Sequence, residues 1–193
     1  ELAQTLRQKG HKFKTNCDTE VIVHAYEEYG PECLNYFIGM FAFVIWDQNK
    51  EQFFCARDRI GVKPFYYWTS EEYFIFGSEI KTLLESGKIH ASIDHRSLAE
   101  YIHFQCTLGN KTLFKGIKKL EPGYYLLIKT SMKPLKLVIK QYWDVKFDIN
   151  YEATEEFFVD RLKLLLDDAI KIRLRSDVTL GAHLSGGLDS STV

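Results

Sequence analysis

The chain has 193 residues, 46% of them hydrophobic and 15% aromatic, enough for one large domain or for one domain and part of a second. Its 25 Lys and Arg against 26 Asp and Glu leave a net charge of −1, which excludes a global basic field for nucleic acid or an anionic membrane surface. The longest apolar run, Met40 to Trp46, is strand-sized rather than membrane-spanning, and the four cysteines show neither CxxC nor zinc spacing, so a soluble, reduced, cytoplasmic protein is expected.

A first helix is predicted from Leu2 to Lys9, stopped by Gly10. Asp18 sits where an N-cap belongs, ahead of Val21, Ile22, Ala25, Tyr26 and Tyr29 at helical spacing, and Gly30 and Pro31 end that helix. Pro31 then opens a short helical turn through Asn35. Met40 to Trp46 reads as a strand buried on both faces, with Gln52 to Ala56 as its partner across a polar turn. Pro64 to Trp68 and Tyr73 to Phe76 form a second pair. Helices are predicted from Ser78, as cap, to Ser86 and from His95 to Phe104, and a last strand pair covers Pro122 to Lys129 and Leu135 to Trp143. Asp144 to Thr154 is polar enough for a linker. Beyond it, Phe158, Leu162, Leu165, Leu166, Ala169, Ile170 and Leu174 mark an amphipathic helix over 155–175, followed by a strand from Val178 to Leu184 and a tight turn at Ser185-Gly186-Gly187. The boundary this implies divides the chain into 1–148 and 149–193. Both termini read as interrupted helices, the mark of a piece of a longer protein.

The chemistry concentrates in Leu184-Ser185-Gly186-Gly187-Leu188-Asp189-Ser190-Ser191, between a predicted strand and a helix start. Two glycines let the backbone turn sharply and approach a ligand, and the helix that follows adds its N–H groups and positive end. Ser185, Ser190 and Ser191 add hydroxyls, which together make a phosphate cradle. There is no Gly-Lys-Ser/Thr, so this is not a Walker A loop. Phosphate charge then falls to Mg²⁺, for which Asp189 is an oxygen ligand. The plainer reading is a strand-to-helix turn with Asp189 or Ser185 as an ordinary N-cap.

Ser185 to Ser190 resembles the PP-loop of the ATP pyrophosphatases, which split ATP between its α and β phosphates. Upstream, Asp18-Thr19-Glu20-Val21, Gly39-Met40-Phe41-Ala42-Phe43, Ala56 to Pro64, Phe76 to Lys81 and Leu120-Glu121-Pro122-Gly123 occur in the order found in glutamine-hydrolysing asparagine synthetases. The resemblance covers essentially the whole chain. It implies an α+β fold: a partial N-terminal-nucleophile hydrolase-type αββα sandwich, the glutaminase, followed by the start of a parallel α/β nucleotide-binding domain. It implies glutamine, aspartate and ATP as substrates, Mg²⁺ as cofactor, and ammonia passing through an internal tunnel to an aspartyl adenylate. A homodimer is compatible with it; nucleic acid and membrane are not called for.

The resemblance assigns Asp18 to the α-amino group of glutamine, Leu184 to backbone contact with the nucleotide, Ser185 to Ser191 to the pyrophosphate, and Met40 to the start of the tunnel, where its other reading is core packing. Arg57 and Asp58, adjacent and so facing opposite ways, need separate partners. Lys63 and Glu79 are expected in a structural ion-pair network, and His183 as a packed, hydrogen-bonded strand residue. The six histidines form no constellation. The family's catalytic cysteine is N-terminal, and its Asn-Gly-Glu segment would lie before Glu1. None of Cys17, Cys33, Cys55 and Cys106 is terminal, so this polypeptide alone is expected to catalyse neither half-reaction. The alternatives are a two-domain relative with another acceptor, such as a β-lactam synthetase, and a non-catalytic binding protein of the same fold.

Overall fold

The computed structural model describes residues 1–176 and 178–193, in two compact units, 1–145 and 146–193. In the first, α1 (Leu2–Gln8) and α2 (Asp18–Tyr29) are followed by a 3₁₀ helix (Gly30–Tyr36) with Pro31 in its first turn. The strands β1 (Ala42–Asp47), β2 (Gln52–Arg57), β6 (Tyr124–Lys129) and β7 (Lys136–Gln141) make an antiparallel sheet in the order β1-β2-β6-β7. A second antiparallel sheet, in the order β4-β3-β5, joins β4 (Phe74–Gly77), β3 (Tyr66–Thr69) and β5 (Lys118–Lys119). Between β4 and β5 lie α3 (Ile80–Leu84) and α4 (His95–Phe104).

Two cores hold this unit together. One is sandwiched between the N-terminal helices and one face of the first sheet: Leu6, Ala25, Cys33 and Leu34 meet Phe54 and Ala56, all fully buried. Tyr26 stacks on Phe54 with ring centroids 5.0 Å apart. Its hydroxyl donates to Asp47 at 2.8 Å and accepts from Gln52 at 3.1 Å, so its polar end is satisfied inside the core. The other core lies between the sheets, where Cys55, Leu126 and Ile128 of the first face Tyr67 of the second. Alternation explains the division: Phe54 and Ala56 point to the helices, and Cys55 between them points to the other sheet. On the second sheet, buried Leu83 of α3 packs beside Gly77, where an added Cβ would lie 3.2 Å from its methyl group.

Several expectations shift. β1 is an edge strand, not a strand buried on both faces: Trp46 is 47% exposed, and the strand with most buried residues is β2. The cap of α3 is Glu79 rather than Ser78, and α4 is capped by Asp94, whose side chain accepts from Ser97 N–H at 2.9 Å. β5 was not anticipated; two lysines carry no strand pattern.

In the second unit α5 (Glu155–Arg173) is capped by Thr154, whose hydroxyl accepts from Phe157 N–H at 3.3 Å, with Glu155 and Glu156 at its positive end and Lys171 and Arg173 at its negative end. Its apolar stripe is uncovered, Leu162 and Leu165 being more than half exposed. No strand forms over 178–184 among the described residues. An extended segment with no neighbouring strand has nothing to satisfy its N–H and C=O groups but water. His183 is accordingly exposed rather than packed. α6 (Leu188–Thr192) follows. Among the described residues, no helix is long and apolar enough to cross a membrane.

Candidate functional site

Asp18 opens α2 but does not cap it. Cys17, in extended conformation, is the N-cap and makes no side-chain capping bond. Asp18 is therefore the first helical residue, exposed, its carboxylate beside the unpaired N–H groups of the first turn. Its Oδ1 lies 3.5 Å from both Cys17 Sγ and Thr19 Oγ1, long contacts that leave its acceptor capacity open to a ligand. What fixes the approach to Asp18 is Glu20. Its carboxylate accepts from Lys14 N–H and Thr15 N–H, each at 2.7 Å, and from the Thr15 hydroxyl. These bonds, led by the one from Lys14, bring its pKa from 4.5 down to about 2. Thr15 Oγ1 in turn accepts from Cys17 N–H at 3.2 Å. This is not a capping box, since Glu20 accepts from the loop before the cap rather than from Cys17 N–H and Cys17 makes no side-chain capping bond.

Met40 is 45% exposed and joins neither core, so ordinary core packing does not describe it. Its neighbour Phe41 is stapled at both ends of its peptide: Phe41 N–H donates to Asp58 Oδ2 at 3.2 Å, and Phe41 C=O accepts from Asp58 N–H at 2.8 Å. Asp58, 1% exposed, also accepts from Val62 N–H at 2.8 Å and Lys63 N–H at 2.9 Å. Arg57 grips the same loop from the other side. Its guanidinium donates to the carbonyls of Lys63, Gly61 and Leu120 at 2.7, 2.7 and 2.6 Å. Burial lowers its pKa, the cost of desolvating a cation held mainly by carbonyl dipoles.

The adjacent pair thus has separate partners, and both sets are backbone, so these side chains shape a loop rather than meet a ligand. Gly61 (φ +68°) is required there, because a Cβ would lie 2.7 Å from Pro122 Cγ. Lys63 contributes its backbone; among the described residues its side chain has no ion pair, and Glu79 pairs with Lys81 at 2.7 Å instead. Beside this frame, Ala42, Val44, Phe53, Phe65 and Phe76 line a mostly apolar groove of about 470 Å³.

In the second unit, Gly186 takes φ +78° with open space where a Cβ would stand, and Gly187 caps α6. Neither Asp189 nor Ser185 is the cap; Asp189 lies in the first turn, among N–H groups that have no intrahelical acceptor. Ser190 ties the loop together. Its hydroxyl accepts from Ser185 N–H at 3.2 Å, meets Ser185 Oγ at 2.9 Å and donates to Gly187 C=O at 3.2 Å. The result is a glycine turn with hydroxyls on one side and one carboxylate, a donor set that fits a phosphate with a hard cation. Leu184 and Leu188 flank it, both exposed. Sequence order brings 184–191 together; Asp18 and Met40 lie in the other unit, on different elements.

The comparisons follow the same division. The glutamine amidotransferase domain family matches residues 1–143, and the asparagine synthase family matches residues 161–193. The chain is 38% identical to asparagine synthetase [glutamine-hydrolyzing] 3 of Bacillus subtilis over 194 aligned residues, covering all of this chain and 31% of that protein. It is 35% identical to asparagine synthetase [glutamine-hydrolyzing] 1 of the same organism, covering all of this chain and 30% of that protein. Amidase chry2 of Gibberella zeae is 32% identical over 94% of this chain and 26% of its own length. Among solved structures, the glutamine phosphoribosylpyrophosphate amidotransferase of Bacillus subtilis aligns over 74% of this chain and 26% of its own, at 20% identity and a TM-score of 0.45. The chain spans about a third of the length of its curated relatives. With helices packed on two antiparallel sheets over the residues matched, 1–143, and the asparagine synthase match following in sequence at 161–193, the chain belongs to the glutamine amidotransferase domain family.

Proposed function

We propose that the protein to which this chain belongs is a glutamine-hydrolysing asparagine synthetase, making asparagine from aspartate with ATP and with ammonia drawn from glutamine. The observation that carries the reading is the pairing, in one chain, of a glutamine amidotransferase domain with the Ser185–Ser191 turn of an asparagine synthase domain. The domain boundary is placed at 148/149.

In the first domain Asp18 receives the α-ammonium group of glutamine. A carboxylate with open acceptor sites at a helix start is suited to charge-assisted hydrogen bonds from an ammonium group, and Glu20 holds the loop in front of it. Met40, presented on the backbone that Asp58 staples, stands at the start of the ammonia path. In the second domain Leu184, Ser185, Gly186, Gly187, Leu188, Asp189, Ser190 and Ser191 hold the phosphates of ATP, with Asp189 as ligand to Mg²⁺. The cation, when bound, neutralises phosphate charge that this lysine-free loop leaves unpaired. The reaction is completed elsewhere in the protein, by ammonia displacing AMP from the activated β-carboxylate of aspartate. The free thiols fit a cytoplasmic setting.

The test uses the full-length protein with Mg-ATP, aspartate and glutamine labelled with ¹⁵N at the amide. Labelled asparagine formed in step with AMP supports the assignment. AMP formed without asparagine, or no turnover at all, refutes it and turns attention to another acceptor, as the match to a protein named an amidase illustrates.

A further inference from the structure

Thirteen residues apart in sequence and on different elements, His11 and His24 meet where the loop after α1 folds onto α2. Their Nδ1 atoms are 3.3 Å apart. Glu27, one turn beyond His24, places Oε2 2.8 Å from His24 Nδ1 and 3.6 Å from His11 Nδ1. The three atoms form a closed triangle within 4.8 Å. Zinc–nitrogen and zinc–oxygen bonds of about 2.0–2.1 Å at the tetrahedral angle put ligand atoms about 3.3 Å apart, so the triangle has the size of one face of a zinc tetrahedron.

The surroundings match as well. A ligating imidazole usually donates its second nitrogen to a carboxylate, which fixes the tautomer. His11 Nε2 lies 3.1 Å from Glu28 Oε2, and Glu28 is itself anchored by Lys9 at 2.7 Å. His24 Nε2 faces Glu20 Oε1 at 3.7 Å, the carboxylate that secures the loop before Asp18. Phe13 packs edge-on against His24, with centroids 4.6 Å apart, and the two imidazoles are mostly buried while Glu27 remains at the surface. Without a cation, two imidazole nitrogens and a carboxylate oxygen converge on a point that one proton satisfies only by division among them. A divalent ion uses all three lone pairs at once, and the exposed side leaves its fourth position to water.

We infer that His11 Nδ1, His24 Nδ1 and Glu27 Oε2 form a binding site for a divalent transition-metal ion, of which Zn²⁺ fits best, that ties the loop after α1 to α2. Two imidazoles and one carboxylate are borderline donors that suit zinc and its neighbours rather than Mg²⁺. The ion's role at this place is a tether, since the triangle is separate from Asp18 and uses none of the residues that would meet glutamine or ATP.

The test is zinc titration of metal-stripped full-length protein against a chromophoric chelator, on wild type, His24→Ala and Glu27→Gln. Co²⁺ is the spectroscopic stand-in, read by its visible ligand-field bands. One zinc equivalent in wild type that is missing from His24→Ala and at least about 10-fold weaker in Glu27→Gln supports the site, as does weakening of about 10–100-fold in the outer-shell variant Glu28→Gln. Glu27 is exposed, so its substitution keeps the test decisive should His24→Ala fold poorly. Equal zinc stoichiometry and affinity in wild type and Glu27→Gln, or a Co²⁺ spectrum unchanged by that substitution, overturns the inference.

Discussion

Replacing Asp58 by Asn changes one atom of a side chain whose two oxygens accept three backbone N–H groups. Oδ2 serves Phe41 and Lys63, and Oδ1 serves Val62. Asparagine keeps one carbonyl oxygen. With that oxygen in the place of Oδ2, two bonds survive as neutral ones, and the new NH₂ group is turned against Val62 N–H, donor against donor. A hydrogen bond to a charged group contributes about 1.5–3 kcal/mol and a neutral one about 0.5–1.5 kcal/mol, so one loss and two downgrades of about 1–1.5 kcal/mol each cost the loop about 3.5–6 kcal/mol. At about 1.4 kcal/mol per factor of ten, amide exchange of the segment 59–64 in the intact protein speeds up roughly 300- to 20,000-fold. Peptide-level hydrogen exchange reads this directly, with α4 (His95–Phe104) as an internal control that does not change. Asp58→Ala, which frees all three donors, exchanges faster still. Exchange of 59–64 in Asp58→Asn within about threefold of wild type would show that the carboxylate is not what holds the loop.

Gly123 sits at φ +72° with a Cβ position 2.5 Å from the carbonyl oxygen of Trp143, whereas Gly10, at φ +98°, has open space around it. Gly10→Ala therefore costs about the left-handed strain alone, about 1–2 kcal/mol. Gly123→Ala costs clearly more in urea denaturation, and equal costs would show that the Trp143 backbone yields freely. Because the folded pKa of Glu20 is depressed to about 2 from 4.5, its bonds stabilise the loop fully above 4.5 and are lost as pH falls from 4.5 through 2. Exchange protection of Lys14 and Thr15 should fall across that window in wild type and show no such step in Glu20→Gln; a step of the same size in the variant would assign it to another group. On the proposed function, Asp18→Asn lowers kcat/KM for glutamine by roughly 10- to 100-fold and leaves ammonia-dependent synthesis intact. Equal loss with both nitrogen donors would remove Asp18 from the glutamine pocket.

Local signals in the sequence carried the helices well, because their periodicity and stops are written into adjacent residues. α4 lies over the predicted His95 to Phe104, and α5 ends two residues before its predicted limit. What failed required knowledge of neighbours. The apolar run before Trp46 looks doubly buried until the sheet order puts β1 at the edge, and sheet order is not encoded in any one strand. Asp18 looks like a cap because Asp favours that position, yet Cys17 takes the extended conformation there and Glu20 secures the loop that precedes it. The strand over 178–184 is apolar enough to form, but no partner strand lies among the described residues. His11 and His24 were invisible as a pair because only the packing of α1 on α2 closes the distance between them. The helix start near Asp18 and the glycine turn before α6 were legible as local structure, because each depends on little beyond its own short segment.

Burial also divides the four sulfurs by their access to a reagent. Cys33 and Cys55 are buried and carry strongly raised pKa values, Cys33 up to about 12, which keeps them protonated and inert to alkylation. Cys17 and Cys106 are exposed. Cys17 Sγ stands 3.5 Å from Asp18 Oδ1, so an adduct on this sulfur occupies the space in front of the carboxylate. An electrophile too large to share that space competes with any amine bound at Asp18. On the proposed function, in which Asp18 receives the ammonium group of glutamine, the ratio of Cys17 to Cys106 labelling falls as that site fills, readable by mass spectrometry without a turnover assay.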